Sequence, residues 1–252
     1  MEFIIAIIVS LAINITLFIP AFIYKTDKLT DLSYSISFII LALITFLGST
    51  GTLFHIVLLS IITIWALRLG IYLLIRIRKI SRDKRFDGVR ENFWKFLKFW
   101  VLQALAVWVI LLPSISIFSI EEPVFNTLAY IGLTIWLLGL IIETFADYQK
   151  YTFINNEKNK GMWIDSGLWK YSRHPNYLGE MMIWIGVYIF TLSSLVGILP
   201  FVMLASPLFI IFLLLFGSGI PMLEKGADKR WGDNPKYQAY KKRVGVLLPK
   251  LF

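Results

Sequence analysis

The chain contains no cysteine and only two histidines, His55 and His174. Disulfides, thiolate metal sites and cysteine nucleophiles are therefore excluded, and so is a multi-histidine metal centre. No metal is expected. Charge is scarce too: Asp, Glu, Lys and Arg make up 16% of the 252 residues, against about 25% in soluble domains. The chain lacks a GxGxxG fingerprint after a strand, a GxxxxGK[ST] loop, a GxSxG elbow and an HExxH pair. A nucleotide, if bound, must be held by membrane helices and their loops. Internal repeats and low-complexity stretches are absent as well.

Hydrophobic residues fill what charge vacates. They make up 58% of the chain, with nine Trp and twenty Phe. Apolar runs of roughly 20 residues recur, each long enough to cross a hydrocarbon core of about 30 Å. The pattern predicts an all-α integral membrane protein, one polytopic domain over 1–252. Seven transmembrane helices are expected, at about 3–24, 33–50, 53–75, 98–118, 124–146, 176–195 and 198–222. The first run is too long for a signal-peptide core and is read as a retained helix. Turn or cap signals mark the joints: Gly48-Ser49-Thr50-Gly51, Pro113, Glu121-Glu122-Pro123, Pro200 and Pro221. The stretch 224–245, with Trp231, Tyr237 and Tyr240, is expected to be a C-terminal amphipathic helix on the membrane surface.

The formal net charge of +9 invites a nucleic-acid reading. Its distribution argues against one. All Lys and Arg except Arg68 fall in the 25–30, 76–98 and 150–175 loops or in the tail after 224. With seven spans and the N-terminus outside, all four regions are cytoplasmic, as the positive-inside rule requires. The basic excess is topology first and contact with anionic membrane lipids second. No nucleic-acid partner is expected, and the location is a multi-pass membrane, the bacterial inner membrane by expectation.

Polar residues inside the apolar runs are the functional signal. Arg68 costs several kcal/mol in a bilayer unless paired or reached by water. It could snorkel to the cytoplasmic end. Arg68, Tyr72 and Arg76, however, stand four apart and make a stripe down one face of span three. Glu143, Asp147 and Lys150 repeat that spacing at the end of span five, where a solvated helix end is the plain alternative. Asn176 and Glu180 open span six, and an unpaired carboxylate there would be expensive or protonated. Arg68 is the expected counter-charge. Spans three, five and six are therefore expected around a polar, cytosol-facing cofactor cavity. Gln103 and Trp108 are weaker candidates, since Gln103 could simply bond to a neighbouring helix. Asp31 and Tyr34 open span two, where Asp31 reads first as a helix cap. His55 reads as an ordinary interfacial residue, and most aromatics as lipid-facing or interfacial. In the 81–87 loop, SRDKRFD, Arg82 and Arg85 could reach phosphates.

The segment GLWKYSRHPNYLGE, from Gly167 to Glu180, resembles the cofactor-binding core of the steroid 5α-reductase superfamily, in its bacterial branch. WALRLGIYL, the DKRF loop, QALAVWVILLP and the ending LEKGADKRWGDNPKYQAYKKRVGVLLP extend the resemblance over most of the chain. It implies seven membrane helices, NADPH in a cytosol-facing cavity, and a cofactor core over about 143–245. Asn176 and Glu180 correspond to the residues that hold the nicotinamide end, Asp147 to a nucleotide-contacting acid, and Arg68 to an arginine of span three. Glu143 falls where the animal enzymes have Asn. Tyr171, Ser172, Arg173, His174 and Tyr177 belong to the same core. Tyr237 and Tyr240 lie where the tail closes over the cofactor. Trp65 departs from the animal enzymes, which carry a substrate-polarising tyrosine there; Asp31 is the nearest match to that tyrosine's glutamate partner.

The resemblance implies reduction of an activated C=C bond, as in a 3-oxo-4-ene steroid or another lipophilic enone entering from the bilayer. Negative charge develops on the carbonyl oxygen and needs a positioned donor. Tyr72, Tyr34 and Asp31 are the candidates. Arg76, Arg82, Arg85 and Lys150 would neutralise phosphates, while Glu180 would help to set hydride geometry. The alternative is an S-adenosylmethionine-dependent methyltransferase of a lipid-like substrate. Isoprenylcysteine and phospholipid methyltransferases share a similar tail and an RHPxYxG-like segment.

Overall fold

Asparagine, proline and glycine set the helix boundaries. Asn92 accepts the Lys95 N–H at 3.0 Å and starts the fourth helix, and Asn234 accepts the Lys236 N–H at 2.9 Å and starts the last. Pro200, Pro221 and Pro235 stand in first turns, where a missing N–H costs nothing. A computed structural model describes residues 2–79, 86–217 and 219–250. The helices are α1 (Glu2–Ile23), α2 (Lys28–Leu47), α3 (Leu53–Lys79), α4 (Phe93–Phe118), α5 (Thr127–Ile154), α6 (Pro175–Leu192), α7 (Leu199–Met203), α8 (Ala205–Phe216), α9 (Ile220–Trp231) and α10 (Pro235–Arg243). Among the described residues, the only β pairing is an isolated bridge between Ser172 and Gly245.

Six helical stretches among the described residues are long and apolar enough to cross a bilayer: Glu2–Ile23, Lys28–Leu47, Leu53–Ile77, Phe93–Phe118, Thr127–Ile154 and Leu199–Trp231. The chain is an all-helical, multi-pass membrane protein. The expected seven spans and these six differ at one place. α6 forms where a span is expected, but Pro175, Asn176 and Glu180 dilute its apolar run. The last expected span falls within the Leu199–Trp231 stretch, which is built of α7, α8 and α9. The expected joint at Pro113 is not one: α4 runs through it to Phe118. Neighbouring helices and local adjustments can satisfy the freed backbone group at such a proline. The expected surface helix over 224–245 is two helices, α9 and α10, broken around Gly232.

The chain forms two units, 1–127 with 191–206, and 128–190 with 207–252. In the first, α1 packs on α2 and α4, and α2 packs on α3. Polar side chains join these helices. Gln103 of α4 donates to Asn14 Oδ1 at 2.9 Å and to Ser33 Oγ at 2.7 Å; Asn14 donates to Ser37 Oγ at 3.0 Å. Ser10 Oγ donates to the Ala104 carbonyl at 2.8 Å, and Trp108 Nε1 to the Phe3 carbonyl at 2.9 Å. Gln103 and Trp108 therefore serve helix pairing, the simpler of the two expectations for Gln103. His55 is fully buried rather than interfacial. Its Nε2 meets the Ile117 carbonyl at 3.1 Å, and its Nδ1 accepts the Thr52 N–H at 3.3 Å, which defines the neutral Nε2–H tautomer.

A minority of the aromatic residues are enclosed in the interior. Phe18, Phe86, Phe96 and Trp100 form a buried cluster, and Trp65, Phe38, Phe54 and Phe190 are also fully enclosed. Large rings bury the most area per residue and pack edge to face, so these serve the interior. Near this cluster, Arg90 binds Asp27 at 2.5 Å and also pairs with Asp87, tying the α1–α2 and α3–α4 loops together.

In the second unit, α5 and α6 run antiparallel with almost nothing between them. A Cβ placed on Gly139 would stand 2.7 Å from the Gly179 carbonyl oxygen, and one on Gly179 would stand 2.7 Å from the Gly139 oxygen. One heptad away on each helix, Gly132 and Gly186 repeat the arrangement, with Cβ positions 2.7 and 2.8 Å from each other's carbonyl oxygens. Small residues let membrane helices approach until backbone meets backbone, so that dispersion replaces the missing hydrophobic drive.

Two substitutions test this. Gly139→Ala and Gly179→Ala should each cost about 1–3 kcal/mol through overpacking and lower the melting temperature in mild detergent. Gly226→Ala, which meets open space, should be neutral or slightly stabilising. In the first unit, Gln103→Leu should cost about 1–3 kcal/mol by stranding buried partners, read as a lower melting temperature.

Candidate functional site

The glycine contact decides what stands beside GLWKYSRHPNYLGE. Gly179 lies against Glu143, whose N and Cβ would both be 2.7 Å from a Cβ there. Glu143 is thus pressed onto the first turns of α6, next to Asn176 and Glu180. Towards the end of α5 the segment continues along the same helix. Trp169 Nε1 donates to the Ala146 carbonyl at 3.1 Å, and Gln149 Oε1 accepts the Leu168 N–H at 2.9 Å. Gly167 has φ +59°, and a Cβ on it would stand 2.5 Å from Gln149. Only glycine satisfies both conditions. Lys150 holds its ammonium 4.8 Å from the Trp169 ring centroid.

This register buries both acids of α5. Glu143 and Asp147 are each 4% exposed. A solvated helix end is therefore not their setting. Glu180 accepts the Trp184 Nε1–H at 3.0 Å, one turn along α6, which fixes the carboxylate's orientation. Asn176 and Tyr177 are half-buried on the same first turns, and Tyr177 stacks on the His174 ring at 5.8 Å. Tyr171 is exposed.

The second half of the site is a clasp that sequence reading missed. Glu224 of α9 takes His174 Nε2 at 2.8 Å on one oxygen and Arg173 at 3.0 Å on the other, with Lys241 of α10 at 3.5 Å. Lys241 also binds Asp228 at 2.6 Å. The Arg173 side chain donates to the Lys241 carbonyl at 3.0 Å. The backbone N–H groups of Arg173 and His174 donate to Gly245 and Val246 at 2.9 and 3.1 Å. Ser172 is buried beside the Gly245 bridge. Ser172, Arg173 and His174 thus bind the C-terminal tail. The arginine-histidine pair and a lone glutamate in the tail were the available signal, but nothing in linear spacing links residues 50 positions apart.

Tyr237 and Tyr240 are buried, with Trp163 and Trp231 around them. Tyr240 OH donates to the Trp169 carbonyl at 2.9 Å, so the tail docks on the segment through a tyrosine as well as the glutamate. Burial, helped by the nearby acids Glu224 and Asp228, pushes the Tyr237 phenol up to about 12. It is a neutral group at physiological pH.

The remaining expected residues lie on α2 and α3 of the first unit. Arg68 stands 5.9 Å from the Tyr72 ring centroid, and Arg68, Tyr72 and Arg76 are all half-buried. Trp65 is fully buried, edge-on to Phe38 at 4.9 Å, and Tyr34 meets the same ring at 5.0 Å. Trp65 is a core residue here. Asp27 holds the N-cap position of α2, and Asp31 lies in the first turn, one turn later than the expected cap. Arg82 and Arg85 lie outside the described residues.

These features define a multi-pass membrane protein that presses a buried acid pair against a polar helix start. The chain belongs to the DUF1295 family, described as proteins of unknown function, whose pattern matches residues 17–244. It is also similar to an uncharacterized protein of Schizosaccharomyces pombe, with 23% identity over 170 residues, covering 60% of this chain and 48% of that protein. The chain therefore spans about half the length of that curated relative. No solved structure matches it.

The clasp gives a pH test. Burial is the largest influence on His174 and outweighs the Glu224 hydrogen bond and charge, holding its pKa below the ordinary 6.5. The neutral ring is thus the folded form, and the unfolded chain binds more protons below about pH 6.5. Stability should be full above that pH and should fall on acidification through the lowered pKa. A melting-temperature series from pH 8 to pH 5 should show this fall, and His174→Gln should flatten it.

Proposed function

We propose that this chain is a membrane-embedded, NADPH-dependent reductase of an activated carbon–carbon double bond in a lipophilic substrate, an enone such as a 3-oxo-4-ene steroid. The observation that carries the reading is the burial of Glu143 and Asp147 beside the Asn176–Glu180 turn. A buried carboxylate has several lone-pair sites and can accept from a ligand as well as from the protein. A nicotinamide carboxamide offers N–H donors and a carbonyl acceptor, and a ribose offers hydroxyls. Asn176 can both donate and accept, and Glu180 accepts. The donor set fits the group.

When bound, NADPH supplies a hydride. The chain's residues do the rest. Asn176 and Glu180 orient the carboxamide, with Glu180 held by Trp184. Glu143 and Asp147 accept from hydroxyl or amide donors. Lys150, Arg68 and Arg76 contribute positive charge against phosphates, with Arg82 and Arg85. Tyr171, Ser172 and Tyr177 frame the segment. In this reading Arg173 and His174 act by holding the tail, and Tyr237 and Tyr240 by docking it. Tyr72, Tyr34 and Asp31 are the candidates to place a proton at the substrate carbonyl. The substrate enters from the bilayer, and the clustering of Lys and Arg supports a site on the cytoplasmic side.

One observation favours a second reading. Two buried carboxylates also suit a sulfonium cation, and this supports an S-adenosylmethionine-dependent methyltransferase acting on a lipid-like substrate. Thermal shift of the purified protein separates the two. NADPH should raise the melting temperature, by about 2.7 kcal/mol of stabilisation at one hundred times Kd. Stabilisation by S-adenosylmethionine alone would sink the reductase reading. Asn176→Ala and Glu180→Gln should weaken NADPH binding at least about tenfold, with the unliganded melting temperature little changed. Unchanged affinity in both would remove these residues from the site.

A further inference from the structure

We infer that the second unit carries a separate binding site for a phosphate-bearing anion in the cleft lined by Lys170, Tyr171, Arg243, Pro249 and Lys250. The inference does not require the reductase reading, although Tyr171 stands in both. The cleft has a volume of about 190 Å³, and three of its five lining residues are cations while none is an acid. They come from three places in the chain: the short helical turn Gly167–Lys170, the last turn of α10, and the tail after it.

The walls are held by the backbone. The Ser172–Gly245 bridge and the Arg173 and His174 N–H bonds to Gly245 and Val246 lock the segment before α6 to the chain after α10. Lys170 and Tyr171 stand just before this lock on one side, and Arg243 just before it on the other. Lys250 is brought back by donating to the Lys242 carbonyl at 2.7 Å. Like charges gathered in one cleft repel each other unless an anion joins them.

The contrast with neighbouring cations sharpens the point. Arg173 and Lys241 are consumed by Glu224 and Asp228. Among the described residues, no ion pair involves Lys170, Arg243 or Lys250. The dipole of α10 accounts for basic residues in its last turn. It does not account for Lys170 and Lys250, which come from outside that helix. A phosphate accepts from Arg and Lys together, and Tyr171, exposed beside Lys170, adds a hydroxyl donor. The chemistry suits a phosphate ester or diester, supplied either by a lipid headgroup or by a soluble phosphate compound.

The test uses the full chain in a neutral detergent and the variant Lys170→Gln/Arg243→Gln/Lys250→Gln, whose substitutions fall on exposed side chains. Titration calorimetry would use inorganic pyrophosphate, short-chain phosphatidylglycerol and short-chain phosphatidylcholine. The native chain should bind pyrophosphate or phosphatidylglycerol but not the zwitterionic lipid, and the variant should bind at least about tenfold more weakly. Binding of phosphatidylglycerol that pyrophosphate does not displace would assign a lipid headgroup. Binding of pyrophosphate would assign a soluble phosphate. Failure of both to bind, or equal affinity in the variant, would overturn the site. The circular dichroism and melting temperature of the variant check that it is folded. Because NADPH itself contains a pyrophosphate, only binding that is lost on substitution of Lys170, Arg243 and Lys250 reports this cleft; pyrophosphate binding that persists in the variant belongs to the cofactor site and overturns the inference.

Discussion

The contact on which the second unit depends is backbone against backbone, glycine to glycine, between α5 and α6. Gly132 with Gly186 and Gly139 with Gly179 bring the two helices so close that each lacks room for a single added carbon. Such a contact is unforgiving of register. Once Gly139 faces Gly179, Glu143 must press on the first turns of α6, Ala146 must meet Trp169, and Gln149 must meet Leu168. The burial of Glu143 and Asp147 follows from this geometry rather than from any local preference of acids for the interior.

Glu224 does for the tail what the glycines do for the helix pair. One carboxylate gathers Arg173, His174 and Lys241. Backbone bonds at Gly245 and Val246 and the Tyr240 hydroxyl bond to Trp169 add directional contacts. A half-buried carboxylate gains from such multiple donors. In return, the short segment between α5 and α6 is held on one side by a membrane helix and on the other by the chain's polar end. A segment of loop and short helical turns is thus tied to its surroundings on both sides.

Much of this was legible in the sequence, for identifiable reasons. Apolar runs announce helices because the bilayer demands that length, and the i,i+4 pairs Glu143–Asp147 and Asn176–Glu180 announce a polar face because the helix period is local. The pairing of α5 with the Gly167–Glu180 segment agreed with that reading. Errors arose where the answer depended on distant partners. Pro113 looked like a joint, yet α4 continues through it. His55 looked interfacial, yet it bridges Thr52 and Ile117. Gln103 was ambiguous until Asn14 and Ser33 were seen to claim it.

Composition and periodicity alone determined that this is a multi-pass helical membrane protein, that thiol and histidine-cluster chemistry is closed to it, and that its polar residues gather in a few helix faces. These are properties of single segments in a known solvent, so no tertiary information is needed to read them. Tertiary structure alone decided that Glu224 clasps Arg173 and His174, that Tyr237 and Tyr240 are interior, and that Lys170, Arg243 and Lys250 share one cleft. Each joins residues far apart in the chain. The energy that holds them comes from burial and converging donors, which linear spacing does not encode.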